Sequence, residues 1–458
     1  MRMSFFEGKK RSRLYRRGLG AFIVVWGIAL LLTLAVPIAP ARADLRVDIT
    51  RGQVEPMPIA VSNFFGASEE AGEFGRKISE VIARNLERSG LFRPIDNRAF
   101  IQGSESMQSG PRFADWRQIN AQALVTGRVQ VVAGDRMEVE FRLWDIFAEE
   151  HLVGLRLGSV SGQWRRIAHK VSDEIYRRLT GEVGYFDTRI VYIAETGPAD
   201  KRTKRLAIMD QDGHNLRYLT DGQQMALTPR FSPTAQEITY LSYNQGIPRV
   251  NLLKIDSGQQ EVLGKFPGMT FAPRFSPDGN SVILTMATEG NSDIFEMDLR
   301  SHKVHRLTNN PTATETAPSY SPNGDAIVFE SDRSGEQQIY VMERKGSQSR
   351  RITFGKGRYM TPVWSPRGDL IAFTKSHRGR FYIGVIKPDG SGERILSQDY
   401  LVEGPTWAPN GRVLMFFRKP SHNPDSSELV SIDITGHNER IVFTTTDASD
   451  PAWSPLTP

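Results

Sequence analysis

The chain has 458 residues, carries 58 Lys and Arg against 52 Asp and Glu, and contains no cysteine, so disulfides, thiolate catalysis and thiolate metal sites are excluded. The basic excess belongs to residues 1–43, which hold eight Lys or Arg and one acidic residue. The remainder balances 50 basic against 51 acidic residues with no sustained run of like charge, which argues against a nucleic-acid partner.

In chain order, residues 1–43 read as a cleaved export signal. A basic lead from Lys9 to Arg17 precedes an apolar run, Leu19 to Val36, and Ala41-Arg42-Ala43 has the small-residue pattern of a cleavage site after Ala43. The run is also near the minimum for a membrane span, which leaves an uncleaved anchor as the alternative.

Residues 44–184 carry the mixed periods of a small α/β domain. Leu45, Val47 and Ile49 alternate, as do Ile59 and Val61, which predicts strands with one buried face. Phe74, Ile78, Ile82 and Leu86 form a helical stripe that stops at Gly90. Residues 123–132, 137–144 and 152–157 read as strands, Gly103 to Gly110 as a surface loop, and a second helix runs from Trp164 to a stop at Gly181.

Residues 185–458 are a repeat array. A phrase of proline, any residue, an aromatic, a small residue and proline occurs six times, beginning at Pro229, Pro273, Pro318, Pro362, Pro405 and Pro451. After it come turn pairs, Asp278-Gly279, Asn323-Gly324 and Asn410-Gly411, that predict a tight hairpin with positive φ at both positions. Two alternating strands and a weaker third follow, so each unit has the four strands of a propeller blade. Phe231, Phe275, Tyr320, Trp364, Trp407 and Trp453 recur once per unit and read as packing between neighbouring blades.

The ends of the array predict closure. Ile190 to Ile193 has no phrase before it, and the phrase at Pro451 has no strand after it; together they complete one blade. The predicted fold is therefore a small N-terminal α/β domain followed by a six-bladed β-propeller closed by the C-terminal strand. An open solenoid would require capping units that the sequence does not show.

Enzyme motifs are missing. No Gly-x-Ser-x-Gly elbow, P-loop or His-Glu-x-x-His helix occurs, and His302 and His305 lie three apart on a strand, on opposite faces. No catalytic group, cofactor or metal site is predicted. The remaining classes are a protein-binding scaffold and a propeller that binds or hydrolyses cell-wall glycans or peptides.

The stretch from Leu179 to Ile190, reading LTGEVGYFDTRI, followed by these blades, resembles the TolB family, and Ala123 to Val129 is similar to a family segment as well. The resemblance spans essentially the whole chain after residue 43. It implies a monomeric, non-enzymatic adaptor in the periplasm of a Gram-negative bacterium, a part of the Tol-Pal system that maintains the outer membrane and supports constriction at division. The partners it implies are the lipoprotein Pal, bound through the propeller, and TolA, bound through the mature N-terminus, with other envelope proteins a further possibility.

For Pal, the loops that precede each phrase are expected to encircle the channel mouth. They nominate Met269, Thr270, Glu315, Thr316, Arg358, Tyr359, Met360, Thr361 and Glu403, with Met269 and Tyr359 as apolar anchors. For TolA, residues Asp44, Leu45, Arg46, Val47, Asp48 and Ile49 are expected to form a strand able to add to a partner's sheet edge.

Overall fold

The computed structural model describes residues 45–47, 55–132, 134–264, 266, 270–288, 290–346 and 348–456. The expected export signal with Ala43, together with Asp44, Asp48, Ile49 and Met269, lies outside them. Among the described residues no helix is long and apolar enough to cross a membrane.

The N-terminal region is a sheet covered by helices. Its elements are β1 (Met57–Val61), β2 (Phe65–Gly66), α1 (Glu69–Arg88), β3 (Phe92–Pro94), α2 (Phe113–Gln118), β4 (Ala123–Val132), β5 (Arg136–Asp145), β6 (Glu150–Val160) and α3 (Trp164–Thr180). The strand order is β3-β1-β4-β5-β6, with β2 paired to β4; β1 is parallel to both neighbours and β4, β5 and β6 are antiparallel. The parallel part needs α1 as its crossover, and α1 supplies an apolar stripe for it. Ile78, Ile82 and Leu86 of α1 and Val171, Ile175 and Leu179 of α3 are fully buried. Ser68 caps α1 by accepting from the Ala71 N–H at 3.2 Å, and Gly181 ends α3 in the left-handed conformation. The Gly103 to Gly110 stretch holds a short 3-10 turn, Ser106–Ser109, and Gln102 beneath it is buried, accepting from Trp116 Nε1 at 3.2 Å.

The expected strand at the start of this region is not present in its described part. Residues 45–47 are irregular, and the Val47 N–H donates to the Leu179 carbonyl at 2.8 Å. That carbonyl is one of the last four of α3, which have no partner within the helix. Alternation marks which side chains share a face; it does not supply a neighbouring strand, and here the helix end captures the segment.

Six four-stranded antiparallel sheets follow. The innermost strands are Met225–Phe231, Thr270–Phe275, Glu315–Tyr320, Arg358–Trp364, Leu401–Trp407 and Asp447–Trp453. The last of these pairs with Arg189–Thr196 and completes the first blade, so the ring is closed by the C-terminal strand. The phrase aromatics pack between blades as expected: Trp407 sits in a cluster with Val363 and Leu370 of the preceding blade and donates its Nε1 proton to the Val363 carbonyl at 3.0 Å.

Two local readings change. Only the glycine of each turn pair has positive φ, at 73° for Gly279, 78° for Gly324 and 66° for Gly411, and its N–H returns to the small residue of the phrase, as from Gly279 to the Ser276 carbonyl at 2.9 Å. Proline in the second position with a negative-φ residue third makes this a type I turn followed by a left-handed glycine, not the tighter form with two positive φ angles. Second, the phrase proline is not where its strand begins. The register slips across it in all six blades, between Leu227 and Arg230 in one and Thr316 and Ser319 in another. Proline has no N–H to give a ladder, and the bulge lifts it out of pairing.

Candidate functional site

The bulges shape the channel. The residue before the phrase proline has positive φ at Thr228 (45°), Ala317 (51°), Thr361 (47°), Gly404 (67°) and Asp450 (50°), which turns backbone N–H groups out of the ladder. Carboxylates from neighbouring strands take them up. Glu330 accepts the Thr361 N–H at 2.6 Å and the Thr316 hydroxyl at 2.5 Å, and Asp450 accepts the Thr228 N–H at 3.3 Å.

These acids act on one another. Burial, with smaller contributions from Asp450 and Glu330, pushes the Glu403 carboxyl up to about 7, and burial also raises Glu330 against its two hydrogen bonds. Glu403 therefore changes charge near neutral pH, in a channel end where proton uptake alters the repulsion among three carboxyls.

Several residues nominated from the sequence meet here, but as parts of strands and not of loops. Thr270, Glu315, Thr316, Arg358, Tyr359, Met360, Thr361 and Glu403 all lie within innermost strands, because each strand starts several residues before the phrase and runs through the bulge. Thr316, Thr361 and Glu403 gather around Glu330 and Asp450. Arg358 is exposed and Met360 half-buried. Tyr359 is fully enclosed, so it is no exposed anchor; its hydroxyl donates to Glu393 Oε1 at 2.8 Å and accepts from Lys375 Nζ at 2.6 Å. Glu315 is likewise buried, paired with Arg333, whose guanidinium lies 4.7 Å over the Tyr340 ring. Both hold the blade together.

Glu330 and Asp450 were missed. Asp450 carried a usable signal, its place before the sixth proline, whereas Glu330 comes from a second strand and meets Thr361 only through the fold.

A second buried polar group joins the α/β domain to the propeller. Arg165 pairs with Asp212, and His169 Nε2 lies 3.7 Å from Asp212 and 3.8 Å from Asp210. The grouping of His169, Asp210 and Asp212 has the makeup of a metal site. Its hydrogen bonds say otherwise. Ser172 Oγ donates to the Ala168 carbonyl at 2.8 Å, so it must accept from Asn85 Nδ2, at 3.0 Å, and that fixes the Asn85 amide. The same Nδ2 faces His169 Nδ1 at 2.9 Å, so Nδ1 accepts, and in the neutral ring Nε2 carries the proton. A nitrogen bearing a proton toward two carboxylates has no lone pair for a metal. The cluster is an interdomain tie, continued by Asn438 Nδ2 and Arg440 Nη2, which donate to the carbonyls of Arg88 and Glu87 at 2.7 and 3.1 Å at the end of α1.

Comparison with known proteins agrees with this architecture. A family model described as the TolB amino-terminal domain matches residues 45–152, and one described as the TolB beta propeller domain matches residues 176–457. The Tol-Pal system protein TolB of Paramagnetospirillum magneticum is 58% identical over 448 residues, covering 96% of this chain and 98% of that protein. The crystal structure of TolB from Acinetobacter baumannii superposes with a TM-score of 0.77 at 27% identity, over 90% of this chain and 100% of the other. With both domains matched in order and identity of this degree along nearly the whole length, the chain belongs to the TolB family.

Proposed function

We propose that this chain is a periplasmic adaptor of the Tol-Pal system that works by binding and not by catalysis. It binds Pal at the end of the channel that holds Thr316, Thr361 and Glu403, and TolA through the segment beginning at Asp44. In this role it keeps the outer membrane attached and supports envelope constriction at division. The observation that carries the reading is the 58% identity, across 96% of the chain, to a Tol-Pal system protein.

The site geometry supports a binding role. Bulged backbone, hydroxyls and half-buried carboxyls at one end of a closed ring give a polar rim with fixed geometry, which suits recognition of a protein surface. Arg358 is exposed, and Thr316, Met360, Thr361 and Glu403 are half-buried and reach solvent, while Tyr359 anchors the blade. For TolA, the hydrogen bond from Val47 to the end of α3 helps hold the start of the domain on its own fold, and a competing sheet edge would replace it.

Titration of the purified protein with purified Pal and, separately, with TolA tests both parts. Replacing Met269, Thr316 and Arg358 together by alanine should weaken Pal binding about tenfold or more, without loss of the folded ring. Unchanged Pal affinity would place the site elsewhere. Removing residues 44–52 should abolish TolA binding and spare Pal binding; retained TolA binding would reject the N-terminal assignment.

A further inference from the structure

At the opposite end of the innermost strands, all six phrases converge on a cavity of about 440 Å³. The residue after each first proline lines it: Arg230, Arg274, Ser319, Val363, Thr406 and Ala452. Two of the six are cations, and among the described residues no acidic one lines the cavity. Trp364, Trp407 and Trp453 add aromatic surface to the same wall.

The two arginines are poorly satisfied. The Nε of each is buried without a hydrogen-bond partner, and the one side-chain bond of Arg230 runs from Nη1 to the Pro229 carbonyl at 2.6 Å. Asp450 acts on Arg230 from a distance, but its carboxylate serves the Thr228 N–H at the far side of the bulge. The charge that bears on Arg274 is that of Arg230, of the same sign, and burial and this neighbour together push its guanidinium down. Both residues are half-buried and line the cavity, so an incoming oxyanion would meet two guanidinium groups whose Nε atoms have no protein acceptor.

Hydroxyl donors complete the set. Ser319 Oγ accepts from the Trp364 N–H at 3.2 Å and Thr406 Oγ1 from the Trp453 N–H at 3.1 Å. Each hydroxyl keeps its own proton to donate. A guanidinium pair with two hydroxyls matches the planar or tetrahedral face of an oxyanion, and the tryptophans match an apolar body behind it.

We propose that this end of the channel binds an oxyanion carried on an apolar body, a carboxylate or phosphate ester in class, with Arg230 and Arg274 holding the charged group. The proposal goes beyond the partner reading: its lining residues lie two to three positions further along the strands than Thr316, Thr361 and Glu403.

Calorimetric titration of the full exported protein with benzoate, phenyl phosphate and inorganic phosphate tests it. The two aromatic anions should bind saturably and more tightly than inorganic phosphate, and the double variant Arg230→Gln, Arg274→Gln should lose about tenfold or more in affinity. Pal titration of the same variant should be unchanged, which separates this site from the partner site. Absence of saturable binding, equal binding by the variant, or preference for inorganic phosphate would each overturn the proposal. Should the variant fail to fold, crystals of the unaltered protein soaked in 4-bromobenzoate decide: bromine signal beside Arg230 and Arg274 supports the site, and signal absent there rejects it.

Discussion

Trp453 donates its indole proton to the Thr188 hydroxyl at 2.8 Å, joining the last strand of the chain to the residue that leads into the first strand of the propeller. The same ring meets Tyr185 edge-on, with centroids 5.9 Å apart. A single side chain thus links ring closure to the junction with the α/β domain.

Closure should carry much of the stability of the ring. Deleting residues 450–458 removes most of the strand that pairs with Arg189–Thr196 and exposes that edge, so thermal unfolding should lose its single cooperative transition. The milder Trp453→Ala should cost about 3–5 kcal/mol, read from chemical denaturation, because the indole is almost fully buried. An unaltered melting profile in the truncated chain would refute the argument.

Glu403 should make stability fall with rising pH. Its carboxyl is raised from 4.5 to about 7 in the folded state, so between those values the native protein holds a proton that the unfolded chain has released. The stabilisation is complete below the unfolded value and is lost as pH rises to about 7, a change on the order of 3 kcal/mol. Denaturant midpoints at pH 5 and pH 8 check this: Glu403→Gln should flatten the difference between them. Identical pH dependence in the two proteins would assign the slope to other groups.

The junction should tolerate no side chain at residue 184. A Cβ on Gly184 would lie 2.2 Å from Asp173 Oδ1 and 2.5 Å from its Cα, closer than atoms can approach. Asp173 cannot simply move aside, because it accepts the N–H groups of Phe186 at 2.7 Å and Asp187 at 2.9 Å. Gly184→Ala and Asp173→Ala should both destabilise. The second leaves two N–H groups without acceptors, at about 1–3 kcal/mol each, and Asp173→Asn should fall between it and the unaltered protein in urea denaturation. A Gly184→Ala protein of unchanged midpoint would show that the junction adjusts.

The repeat, the blade count and the closure were legible because they rest on short-range chemistry. Proline at a near-constant spacing, a left-handed glycine after the turn in four of the six phrases and alternating apolar residues act within a few residues of where they stand, and six copies make the period unmistakable. The two long helices of the first domain were equally plain, with the apolar stripe of α3 stopping at Gly181, whereas the short α2 was not foreseen.

What only the tertiary structure decided depends on residues far apart in sequence. Glu330 reaches Thr361 from the neighbouring blade, Asn85 sets the ring of His169, and Arg230 faces Arg274 only because the ring turns every phrase toward one axis. Burial decided against Tyr359 as an exposed anchor, since an aromatic on a predicted loop and one inside a blade read alike until the bulge moves the strand's beginning. The segment at Val47 shows the same limit: alternation specified a face, but the carbonyl that accepts the Val47 N–H belongs to a helix end more than a hundred residues away, and hydrogen-bond satisfaction is settled by proximity in space.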